Sequence, residues 1–312
     1  MRENIAQRLI DRLEVRFCHL IVLTLRWSSS NLDILLLPLA AQDIKGREFP
    51  VAVDLGSGPG FVYRQLQGHA GIKKLIQMDI ADKFLLRDAS AGGHPFLDPE
   101  EWIETHRMVG DPEWLPLQPE SVDLVVSCLD LHWVNDLPGA LTQIRRSLKP
   151  DGLFLAAMFG ENTLRELREA FIVAETEREG GLGQHASPMA GLSDLAGLVQ
   201  RAGFTLPTLD VDHVDVSYPD AFAVMEHLQG MGEQNASFGA RKGTPRSTLL
   251  AAAAAYQAMS GMEEGVTASF DVVFMIGWAP HREQPKPLQR GTAKRSLKNL
   301  LMGSSDKNKT NG

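Results

Sequence analysis

The segment Val51-Ala52-Val53-Asp54-Leu55-Gly56-Ser57-Gly58-Pro59-Gly60 constrains the fold more than any other stretch of the chain. An apolar run that ends in a carboxylate and passes into glycines reads as a buried strand, a tight turn and the start of a helix. Glycines at alternate positions let the backbone approach a ligand and adopt left-handed torsions that a Cβ penalises. The spacing separates two ligand classes. A dinucleotide loop places its third glycine three residues after the second, where a pyrophosphate meets the helix N-terminus. Here that place is Phe61, and the third glycine comes earlier, at Gly60. Asp54 in front of the loop would also repel a pyrophosphate. It suits a cationic, zwitterionic ligand, and S-adenosylmethionine is the common one.

From Phe49 onward strand and helix patterns alternate, which is the signature of a parallel sheet covered on both faces. Strands are expected at residues 51–55, 74–78, 106–109, 122–129, 153–159, 209–216 and 269–276. The fourth is a near-continuous apolar run suited to a central, doubly covered position. Helices are expected after Gly60 and over residues 136–148, 163–179, 192–202, 221–231 and 246–259. Lys149-Pro150-Asp151-Gly152 reads as a turn between helix and strand, because Pro presets φ and Gly permits φ > 0. The fold class that follows is α/β: a doubly wound, mostly parallel seven-stranded sheet of the class I SAM-dependent methyltransferase type, with a helical cap over about 163–203 and 219–259.

In such a sheet ligands bind beyond the carboxyl ends of the strands, at the crevice where strand order reverses. Asp54, Gly56, Gly58 and Gly60 would line the methionine side. Asp79, at the end of strand two, can accept both ribose hydroxyls, and Asp111, after strand three, can reach the adenine amino group. Singly, each acid is an ordinary turn residue. Three acids after three successive strands, behind this loop, form a cofactor site. On the substrate side, His132 and Trp133 follow strand four and are the candidate catalytic residues, His132 as base or polar clamp and Trp133 as a stacking wall. Asp136 in the same stretch is also a natural helix N-cap.

Other features exclude more than they assign. A formal net charge of −8 argues against nucleic acid, since phosphate neutralisation needs clustered Lys and Arg. With Cys18 and Cys128 alone, one chain can build neither a disulfide framework nor a thiolate metal site. His213-Val214-Asp215 matches two ligands of an iron facial triad, but it lies in an alternating strand with no evident third ligand, so no metal site is assigned. Residues 1–14 pattern as an amphipathic helix. Residues 15–42 hold two apolar patches of roughly ten residues each, short of the ~20 a membrane-spanning helix needs, so no transmembrane helix is expected. That segment is read as an anomalous insert of translated intron, since Val15 and Gln42 fit codons at intron edges. The main domain is then 43–279, and 280–312 is a flexible tail rich in Pro, Lys, Ser and Asn.

Five strings carry a resemblance: the loop from Asp54 to Gly60, Leu131-His132-Trp133-Val134-Asn135-Asp136-Leu137-Pro138, Ala157-Met158-Phe159-Gly160, Ala174-Glu175-Thr176-Glu177-Arg178-Glu179-Gly180-Gly181 and Leu228-Gln229-Gly230-Met231-Gly232-Glu233. Together they resemble the mitochondrial complex I assembly branch of the class I methyltransferase-like family, over about residues 49–300. The resemblance implies a SAM-binding fold on the matrix side of the inner membrane, in possible peripheral contact with it. It also implies hydroxylation of an arginine in a core iron–sulfur subunit of complex I during early assembly, with the oxidant or metal unknown. No residue pattern by itself points to hydroxylation. A more distant likeness is to the malonyl-carrier-protein methyltransferases. Methyl transfer to a carboxylate and a turnover-free, SAM-binding assembly role therefore stand as alternatives. Two departures from the family pattern are the segment 15–42 and the absence of an Arg- and Ser-rich presequence before Met1.

Overall fold

A computed structural model describes residues 47–66, 70–87, 103–183, 185, 189–233, 243–260 and 265–285. The expected helix 1–14, the insert 15–42 and most of the tail lie outside them. Seven strands form one sheet: β1 Val51–Leu55, β2 Lys74–Asp79, β3 Glu104–Val109, β4 Val122–Cys128, β5 Leu148–Phe159, β6 Thr205–Tyr218 and β7 Val266–Trp278. Their order is β3-β2-β1-β4-β5-β7-β6. The pairings β1–β2, β1–β4, β2–β3 and β4–β5 are parallel, and only β7 runs against its neighbours. This is the expected doubly wound architecture. Strand order reverses between β1 and β4, which places the crevice beside the glycine loop.

Both sheet faces are buried, and the period of two sorts the side chains. Ala52, Leu124, Val126, Leu153, Leu155 and Ala157 face one core. Val53, Leu55, Val125, Phe154, Ala156 and Met158 face the other. The helices are α1 Phe61–Leu66, α2 Asp82–Arg87, α3 Leu137–Ser147, α4 Arg165–Arg178, α5 Leu192–Arg201, α6 Ala221–Met231 and α7 Arg246–Ser260. Asp136 caps α3 by accepting from Gly139 N at 2.9 Å, with Pro138 in the first turn and Arg145 and Arg146 in the last, where the helix dipole favours cations.

The segment 163–203 divides between the two faces. Helix α4 packs with α7 and α6 on the first core through Leu167, Ala170, Phe171, Tyr256 and Val224. Helix α5 packs beside α3 on the second core through Leu195 and Val199. An amphipathic stripe fixes that a helix is buried on one side, not which face of the sheet receives it. Lys149-Pro150-Asp151-Gly152 also differs from a simple turn. These residues lie within β5, where the pairing with β4 jumps between Val122↔Leu148 and Leu124↔Leu153. Asp151 takes φ 64°. The turn chemistry is spent on a bulge inside the strand. Contacts divide the chain into two compact units, 1–280 and 281–312. Among the described residues no helix is long and apolar enough to cross a membrane.

Candidate functional site

The loop after β1 is held against β2: Gly56 N and Ser57 N both donate to Met78 O, at 2.8 and 3.0 Å, and Gly60 N donates to Ser57 O at 2.9 Å. Gly56, Gly58 and Gly60 all have positive φ, at 70°, 52° and 86°. A Cβ on Gly56 would sit 2.1 Å from Asp130 Cγ, whereas one on Gly58 would meet nothing within 4 Å. The first glycine is therefore needed for packing inside the protein. The second leaves an open face to a ligand.

Asp54 lies at the centre. It is completely buried, and neither carboxylate oxygen has a hydrogen-bond partner. Burial, and then the charges of Asp79 and Asp130, hold its carboxyl well above the usual carboxylate range. A buried carboxylate beside two more acids is costly unless a cation joins them. Ser57 Oγ and Ser127 Oγ, from the loop and from β4, are also buried without a partner. Asp79 uses Oδ2 to accept Gly58 N and Oδ1 to accept Ala81 N, both at 2.8 Å, so it fixes the loop while each oxygen keeps a further lone pair. Asp111 sits beyond β3, where its Oδ1 accepts Glu113 N at 2.8 Å in a local turn.

The fourth wall comes from β4. Leu129 takes φ 55°, a left-handed conformation that costs a bulky residue on the order of 1–2 kcal/mol. The sharp turn carries Asp130 back over Gly56 and leads into a short 3-10 turn at Leu131–Trp133. The His132 side chain is fully buried, and its Nε2 lies 3.1 Å from Glu233 Oε2. Its ring centroid is 5.1 Å from Phe159 and 5.7 Å from Trp133. The structure thus gathers Asp54, Gly56, Gly58, Gly60, Asp79 and Asp111 at the ends of β1, β2 and β3, with His132 and Trp133 at the end of β4. His213 stands elsewhere, on β6, with its exposed imidazole 2.6 Å from Asp271 Oδ1. Among the described residues no group of three or more His, Cys, Asp or Glu side chains is placed to hold a metal.

Sequence reasoning assigned no role to Asp130, Ser57, Ser127 or Glu233. Ser57 stands inside the glycine loop, and Glu233 left a local trace as the acid after Gly232 in a helix-ending string. Gly232 takes φ 76° and Glu233 N donates back to Leu228 O at 2.9 Å, so the helix end aims Glu233 inward.

Sheet order and site together define the class: a class I methyltransferase fold. A family model described as "Methyltransferase domain" matches residues 53–156. A crystal structure of a Bacillus halodurans protein described as a methyltransferase covers 76% of this chain and 94% of its own length at a TM-score of 0.50 and 18% identity. Among curated proteins, "Arginine-hydroxylase NDUFAF5, mitochondrial" of Homo sapiens is 46% identical over 248 residues, 79% of this chain and 69% of that protein. The Danio rerio protein of the same name is 42% identical, over 81% of this chain and 76% of that one. "Malonyl-[acyl-carrier protein] O-methyltransferase" of Xylella fastidiosa is 31% identical over 78% of this chain and 79% of that protein. The chain belongs to the NDUFAF5 family.

Proposed function

We propose that this chain is an arginine hydroxylase on a SAM-binding methyltransferase fold. It acts on a core iron–sulfur subunit of complex I during early assembly, on the matrix side of the mitochondrial inner membrane. The observation that carries the reaction is the 46% identity to a protein named for arginine hydroxylation, over 79% of this chain.

The cofactor reading rests on the site itself. The ammonium group of S-adenosylmethionine supplies the cation that the unpartnered, buried Asp54 carboxylate calls for. Gly58 gives the backbone clearance, and Asp79 keeps lone pairs for the ribose hydroxyls. Asp111, near the adenine, has one oxygen already committed to Glu113 N. When bound, S-adenosylmethionine supplies a sulfonium-activated methyl group. Converting an arginine C–H to C–OH uses none of it. That conversion adds one oxygen atom and removes two electrons from the C–H bond: a peroxide balances it with release of one water, and dioxygen balances it only with a two-electron reductant, its second oxygen leaving as water. The chain's own residues bind and orient: the partly exposed Trp133 and the His132 side chain buried against it line the substrate side at the end of β4, and the acids of the first three strands hold the cofactor.

A second reading, methyl transfer to a carboxylate, is favoured by the 31% identity to a carrier-protein methyltransferase over most of both chains. Mass spectrometry separates the two. A peptide from the iron–sulfur subunit, incubated with the protein, S-adenosylmethionine and an oxidant, is expected to gain one oxygen atom on arginine. A gain of one methylene establishes the second reading instead. No gain under any oxidant leaves a binding role and refutes both.

A further inference from the structure

Glu233 and His132 lie 101 residues apart in the chain and meet in the interior. Their side chains are 3% and 0% exposed. This contact joins the carboxyl end of helix α6 to the mouth of β4, two residues beyond the Asp130 side chain that covers Gly56. The Nε2 edge of His132 points at Glu233, whereas Nδ1 is buried and has no hydrogen-bond partner. A neutral imidazole carries one N–H and one bare nitrogen. A carboxylate only accepts, so the proton belongs on Nε2 and Nδ1 is left as an acceptor. The aromatic rings of Phe159 and Trp133 flank the imidazole. Leaving a buried acceptor unpaired is unfavourable, and an incoming donor recovers that cost. Trp133, whose ring lies against the imidazole, is itself only partly buried.

We infer that Glu233 is a positioning residue: it fixes His132 as the Nε2–H tautomer and presents Nδ1 as an acceptor for a guanidinium N–H of the substrate arginine. This rests on the arginine-modifying reading above and adds the group that orients its substrate-facing histidine. A carboxylate behind the ring also favours a cationic donor over a neutral one of the same shape, because its charge attracts the incoming cation.

The test uses the full chain with ¹⁵N-labelled histidine. In the wild type, His132 is expected as the Nε2–H tautomer, and Nα-acetyl-arginine amide is expected to shift the Nδ1 resonance. Nα-acetyl-citrulline amide, which keeps N–H donors but lacks the charge, should need on the order of tenfold more to do so, the weight of one charge-assisted hydrogen bond. Glu233→Gln should abolish the single tautomer and weaken the arginine response by a similar factor, and Glu233→Asp should restore part of both. An Nδ1–H tautomer in the wild type overturns the inference without recourse to any variant. So does an Nδ1 resonance indifferent to the arginine probe. An arginine response with no oxygen gain in the mass assay supports the inference and refutes the hydroxylase reading. An oxygen gain with no response does the reverse.

Discussion

Asp54→Asn separates what this site costs the folded chain from what it gives the cofactor. The wild-type carboxyl is buried, without a partner for either oxygen, and next to Asp79 and Asp130. Its folded value is raised above its unfolded one, so between the two the native state holds more protons than the unfolded state. Stability contributed by this group is therefore present below ~3.9, the ordinary carboxylate value, and falls as pH rises toward the raised value, at a limiting slope of about 1.4 kcal/mol per pH unit. Asn has nearly the same shape and no charge to titrate, so it removes that slope. Within the window the two proteins should separate progressively as pH rises, with Asn the more stable. The assay is a series of ligand-free melts of both proteins from about pH 5 to 8. Saturating S-adenosylmethionine should then raise the wild-type melting temperature far more than that of the variant. An Asn variant that melts below the wild type at neutral pH would show that the buried Asp54 carboxyl does not destabilise the fold, as would a gap that does not widen with pH.

The two loop glycines should fail differently. Gly56→Ala, driving a Cβ into Asp130, should lower stability by more than about 2 kcal/mol. Gly58→Ala, with open space around it, should cost only about 1 kcal/mol of backbone strain yet lose cofactor affinity, as melts and titrations on the same preparations will show. Asp79→Ala should weaken S-adenosylmethionine by on the order of 1.5–3 kcal/mol in calorimetry, the range for hydrogen bonds to a charged group; unchanged affinity would remove Asp79 from the site. His132→Ala should lower arginine modification by more than about tenfold, and His213→Ala should leave it nearly intact. The opposite pattern would move the chemistry to β6.

The strands and the loop were legible because their causes are local. Alternating or continuous apolar runs mark the buried strands, and the alternate glycines after Asp54 mark the turn. Asp136 was readable as a cap from its place before Leu137-Pro138. What was not legible depends on which strands become neighbours. Asp130 covers Gly56 only because β4 pairs with β1, and nothing near Asp130 in the chain announces it. The His132–Glu233 contact needs the sheet, the cap helix and a left-handed Gly232 at once. The Lys149–Gly152 stretch misled for a different reason: the same residues that close a turn also make a bulge, and only the pairing with β4 decides between them.

Binding of a cation at Asp54 is read by calorimetric titration of the intact chain. Aliquots titrated with S-adenosylmethionine and with NAD, each in two buffers of different ionisation enthalpy, report both affinity and proton movement. Saturable heat is expected with S-adenosylmethionine, with a proton released as Asp54 ionises against the ligand's ammonium group, and no saturable heat with NAD. Saturable NAD binding without S-adenosylmethionine heat would contradict cation binding at Asp54.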